Sequence, residues 1–143
     1  MAKKLKVSEL VNRFQMEVVS GEEGLKRPIT VSDLYRPGLE MAGYFAYHPK
    51  ERIQILGKTE LSFLEQLPPE QKRQRLNQLC ESAETPCIVI TRGLDVPPEL
   101  IEASRRWQIP VLRSKTTTTI LASRITGFLE NRLAPTATIH GVL

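Results

Sequence analysis

Cysteine and histidine are scarce in this chain of 143 residues, which carries two of each. Cys80 and Cys87 have no further Cys or His at the spacing of a zinc site, so a structural metal and a disulfide scaffold are both excluded. They read instead as small apolar residues of a reducing compartment. Long apolar runs are missing too. Nothing approaches the ~18 residues of a membrane span, and Met1-Ala2-Lys3-Lys4 leads into a short amphipathic stretch rather than a signal region. A cytoplasmic protein without a membrane partner is expected. Nor is charge of one sign concentrated: 20 Lys+Arg stand against 16 Asp+Glu, interleaved, for a net +4. Without a basic block, no nucleic-acid partner is expected. The two histidines, His48 and His140, are far apart and form no Ser/His/Asp or Cys/His set. His48, in Tyr47-His48-Pro49, reads as a surface loop residue, and Glu22-Glu23 as turn surface.

What is present is an ordinary globular balance of 41% hydrophobic and 25% charged residues, at a length that supports a core without staples. Ser8 can cap a first helix bearing Leu10, Val11 and Phe14. Met16 to Val19 reads as a short strand, and Gly21 and Gly24 mark a turn. Between Arg27 and Pro49 prolines, glycines and aromatics mix, which argues for an irregular packed connection with at most a short helix around Ser32–Leu34. Arg52 to Gly57 alternates as a strand does. Thr59 caps a helix with Leu61, Leu64 and Leu67, and Pro68-Pro69 opens a second one through Cys80. Cys87-Ile88-Val89-Ile90-Thr91 is apolar without alternation, as a strand covered on both faces should be. Pro97-Pro98 opens a helix with Leu100, Ala103, Ser104 and Trp107 on one stripe. Ile109 to Leu112 is a strand whose Pro110 belongs at a start or an edge. A last helix from about Thr118 to Arg132 turns Leu121, Ile125, Phe128 and Leu129 inward. Alternating strands and helices predict an α/β class, three layers with a mostly parallel central sheet.

Two strand-to-helix turns invite a phosphate reading. Gly57-Lys58-Thr59 resembles the end of a phosphate loop, but such a loop needs a glycine five positions earlier, where Arg52 stands, and residues 53–56 are already strand. Ser114-Lys115-Thr116-Thr117-Thr118-Thr119 lies between a strand end and a helix start, where free N–H groups and the helix dipole favour an anion. Thr91-Arg92-Gly93-Leu94-Asp95 occupies the equivalent place on the preceding strand. Arg92, Ser114, Lys115 and Thr116 are therefore candidate anion-binding residues, beside the plain alternative of helix capping. Residues 134–143 read as a linker running into the first residues of a new strand, which suggests the front part of a longer protein: one domain over 1–133 and the beginning of another.

Four segments carry a resemblance. They are Val31-Ser32-Asp33-Leu34 with Arg36-Pro37-Gly38-Leu39-Glu40-Met41-Ala42-Gly43-Tyr44-Phe45; Arg52 to Glu60; Pro86 to Gly93; and His140-Gly141-Val142-Leu143. In this order the chain resembles the N-terminal domain of bacterial HPr kinase/phosphorylases. The resemblance implies a parent enzyme that uses ATP and Mg²⁺ to phosphorylate a serine of the phosphocarrier HPr, and that removes the phosphate by phosphorolysis, in carbon catabolite control. It also implies a homohexamer, whose catalysis belongs to a C-terminal kinase domain that carries the phosphate loop and the HPr contacts. In that family His140 is an active-site histidine beside the loop. The fragment itself is expected to hold no cofactor and to be non-catalytic. The resemblance further implies a fold like the N-terminal domain of the Mur ligases, where a uridine nucleotide binds; fold likeness does not transfer that ligand. Two roles follow: a structural and regulatory domain, with the apolar and aromatic residues of Leu39–Tyr47 either at a contact surface or packed inside the domain, or a sensor of a phosphorylated metabolite or nucleotide at the two strand-end loops.

Overall fold

The computed structural model describes residues 4–135. His140 and the expected strand start lie outside them. A five-stranded sheet runs in the order β2 (Glu17–Ser20), β7 (Val111–Arg113), β6 (Ile88–Ile90), β5 (Ile53–Leu56) and β4 (Leu34–Tyr35). Strands β4 to β7 are parallel; β2 joins β7 antiparallel, with Glu17 opposite Arg113. A two-stranded ribbon of β1 (Leu5–Lys6) and β3 (Pro28–Ile29) stands apart.

Side chains alternate across the sheet and feed two cores. Ile53, Ile55, Cys87, Val89 and Leu112 point to one face, where α1 (Val7–Phe14) and α6 (Thr118–Leu133) supply Leu10, Leu121, Ile125 and Leu129. Leu56, Ile88, Ile90 and Val111 point to the other. There they meet α2 (Gly38–Met41), α3 (Lys58–Glu65), α4 (Pro69–Cys80) and α5 (Pro98–Trp107). The result is the expected α/β/α layering. Strand β6 is buried throughout, which explains its unbroken apolar run. Burial also pushes the Cys80 and Cys87 thiols up to about 12, so both are inert near neutrality.

Four local expectations are corrected. Residues 32–34 form no helix: Leu34 and Tyr35 pair with Ile53 and Gln54 as β4, and the short helix follows Pro37. Ser8 does not cap α1; the Lys6 N–H donates to Glu9 Oε2 at 3.0 Å instead. Thr59 does not cap α3; Gly57 is the N-cap, and its N–H donates to Glu60 Oε1 at 2.7 Å. His48 is no surface residue: it is 9% exposed, and its Nε2 lies 2.8 Å from Gln54 Oε1. Both hydrogens of the Gln54 amide are used on the Pro49 and Arg52 carbonyls, so His48 Nε2 is the donor.

The links from α4 to β6 and from α5 to β7 converge on Arg27. Its guanidinium donates to Ser82 O (3.2 Å), Thr85 O (2.6 Å), Trp107 O (2.7 Å) and Gln108 O (3.1 Å). Gly21 and Gly24 lie so close to the Ile109 and Gln108 carbonyls that a Cβ would collide with either, and Gly21 adopts φ +75°. Ser104 Oγ, 2.9 Å from Ser20 Oγ, donates to Ile109 O at 2.6 Å. Removing the fork leaves four carbonyls short of a charged donor. Arg27→Met should cost about 3 kcal/mol, seen as a lower urea midpoint, and Arg27→Lys should recover little because an ammonium cannot span both links.

Candidate functional site

The carboxyl ends of β5, β6 and β7 are where an open α/β sheet presents ligands. After β6 the chain crosses to the α5 face, and after β7 to the α6 face. Such divergence opens a crevice between neighbouring strand ends. Here the two loops close it with each other. The Arg92 N–H donates to Thr116 O (2.9 Å) and the Gly93 N–H to Ser114 O (2.8 Å). Arg92 and Gly93 both take positive φ, +59° and +62°, in the tight turn that makes this pairing reachable. The Thr116 N–H donates to Ser114 Oγ at 3.2 Å. Three N–H groups that a phosphate would use are therefore already engaged.

The structure does bring Ser114, Lys115 and Thr116 together. With Gly93, Glu17 and Arg113 they line a hollow of about 540 Å³. The Arg92 side chain is not part of that lining. Arg113 grips Glu17 in a two-bond fork (2.9 and 3.0 Å), which holds the Glu17 carboxyl below the usual range and raises the guanidinium further. With Arg113 spent on Glu17, Lys115 is the one uncommitted cation in the hollow's lining. The sequence reading missed Glu17 and Arg113, although their opposite charges on paired strands were the available signal.

At the α3 N-terminus the phosphate-loop reading fails on geometry as well. Arg36 Nη2 sits 2.9 Å from Glu60 Oε1, the same oxygen that takes the Gly57 N–H. A Cβ on Gly57 would press on Thr118 Oγ1, which is itself 2.6 Å from Thr91 Oγ1. A carboxylate stands where a phosphate would have to be. Among the described residues no cluster of three or more His, Cys, Asp or Glu suits a metal, and no helix is long and apolar enough to cross a membrane. The residues present here do not fit a nucleotide with its magnesium.

HPr kinase/phosphorylases of Geobacillus thermodenitrificans and Bacillus subtilis are 60% and 57% identical over 140 residues. The match takes in 98% of this chain and 45% of theirs, so the chain spans about half the length of these relatives. A solved structure of the CBS and DRTGG domains of the regulatory region of a Clostridium perfringens pyrophosphatase, complexed with the activator diadenosine tetraphosphate, is similar with a TM-score of 0.54. It covers 85% of this chain and 45% of that one, and at 16% identity it speaks for the fold alone. Residues 5–129 match the family described as HPr Serine kinase N terminus, and the chain belongs to that family.

Proposed function

We propose that this chain is the non-catalytic N-terminal domain of a bifunctional HPr kinase/phosphorylase, with a structural and regulatory part in the parent enzyme. The observation that carries the reading is the strand-end geometry. Where the sheet offers phosphate-binding positions, Glu60 occupies one and the two loops bond to each other at the other. In this reading the parent transfers phosphate from ATP with Mg²⁺ to a serine of HPr, and removes it by phosphorolysis, through its other domain. That parent works in the cytoplasm as a homohexamer, in carbon catabolite control. His140 joins the active site only once the domain that follows is present. ATP-dependent phosphorylation of HPr tests the assignment, with the full-length Bacillus subtilis relative as control. Product from the full-length enzyme alone is the expected result; product from the isolated chain would overturn it.

The hollow beside β7 favours a second reading, in which the domain senses a phosphorylated metabolite or nucleotide through Ser114, Lys115 and Thr116. An anion present at about a hundredfold its dissociation constant adds about 2.7 kcal/mol of stability. Thermal unfolding in inorganic phosphate against chloride of equal ionic strength should then show a rise that Lys115→Ala removes; equal midpoints in both salts would end this reading.

A further inference from the structure

Between α1 and α6 runs a second surface groove, of about 570 Å³, whose lining includes Arg13, Arg124, Arg132, Phe128, Gly127 and Asn131 and no carboxylate. Phe128 is its one aromatic lining residue, and it meets Phe14, which lies outside the lining, edge to face with centroids 5.5 Å apart. The Arg13 guanidinium lies 5.0 Å from the Phe14 ring and 5.6 Å from the Phe128 ring, and Arg132 lies 5.6 Å from Phe128. Arg132 is paired with Glu9 at 2.8 Å. Among the described residues neither Arg13 nor Arg124 has a carboxylate partner.

Gly127 is a separate observation pointing the same way. A glycine in a helix interior weakens the helix, and nothing inside the domain needs the space, since a Cβ there would meet no atom within 4 Å. The missing side chain lets something outside the domain come close to the α6 backbone. Two guanidiniums without a carboxylate partner, one of them beside the Phe14 and Phe128 rings, suit carboxylates, because the planar fork matches a carboxylate and is weakly hydrated. A nucleic acid would need a longer cationic track than two free arginines with Glu9 at one end.

We propose that this groove binds an acidic peptide segment of a protein partner. Two carboxylates pair with Arg13 and Arg124, the segment crosses at Gly127, and an apolar side chain rests on Phe128. The surface stands independently of any role in HPr phosphorylation. The test is fluorescence anisotropy of a labelled Glu-Glu-Leu-Glu-Glu peptide on the intact chain at low ionic strength, beside Gln-Gln-Leu-Gln-Gln and a short oligothymidylate. The acidic peptide should bind, and bind more weakly as salt rises. Arg124→Glu should weaken it about tenfold, since a charge reversal replaces attraction by repulsion. Gly127→Leu should abolish binding while circular dichroism and the thermal midpoint hold or improve, which separates a blocked groove from a lost fold. Equal binding of the neutral peptide would overturn the proposal, as would affinity untouched by both substitutions or no binding up to about millimolar peptide. Tighter binding of the oligothymidylate with the same sensitivities would assign the groove to nucleic acid instead.

Discussion

Wherever a helix gives way to a strand, the last carbonyls of the helix and the turn after it lose their helical partners. In this domain two such links run side by side below β6 and β7, and both hand their carbonyl oxygens to one guanidinium. Arg27 takes Ser82 and Thr85 from the first link and Trp107 and Gln108 from the second. Burial pulls this guanidinium below its usual pKa, and among the described residues no carboxylate pairs with it; the four carbonyls do that work. Because β6 and β7 are central strands, the clamp sets their relative height, and with it the register Ile88–Val111 and Ile90–Arg113. The arrangement at the opposite end of the strands follows from that register.

At that opposite end several of the donors that look ready for a phosphate are used by the protein itself. Register places Arg92-Gly93 level with Ser114–Thr116, and the loops bond to each other. Glu60 reaches back to the Gly57 N–H and holds Arg36, which fills the α3 N-terminus with a carboxylate. Positive dipole ends remain, with the Gly57 N–H of α3 already taken by Glu60. What stays open to partners lies to the sides: the hollow at Lys115 and the arginine groove over Phe128.

The sequence made much of the architecture legible, for physical reasons that also explain the misses. Helices α4, α5 and α6 have prolines or apolar stripes that fix them locally, and β6 has an apolar run that only a two-sided burial explains. By contrast β1, β3 and β4 are two residues long and exist only through their pairing partners, so no local pattern marks them. Local pattern points to the hydroxyls of Ser8 and Thr59 as the caps of α1 and α3, whereas a glutamate three residues on from the N-cap, Glu9 or Glu60, takes the N-cap N–H. His48 looked exposed because it sits in a proline-flanked loop, and only the tertiary Gln54 contact buries it. At the candidate site the positions of the loops are readable, but the bonds between them are not, since they join residues far apart in sequence, Arg92 to Thr116 and Gly93 to Ser114. The Arg27 clamp and the pairing of Arg13 with the α6 groove are beyond local patterns for the same reason.

Whether the α3 N-terminus is closed to phosphate is the point on which the functional reading turns. Titrating Mg-ATP into isotope-labelled protein, with backbone amides followed by NMR, addresses it directly. The amides of Gly57, Lys58, Thr59 and Glu60 should stay unmoved, because Glu60 already holds the donor that a phosphate would take. Saturable shifts at those four amides would show that Glu60 yields to nucleotide, and would contradict a closed α3 N-terminus.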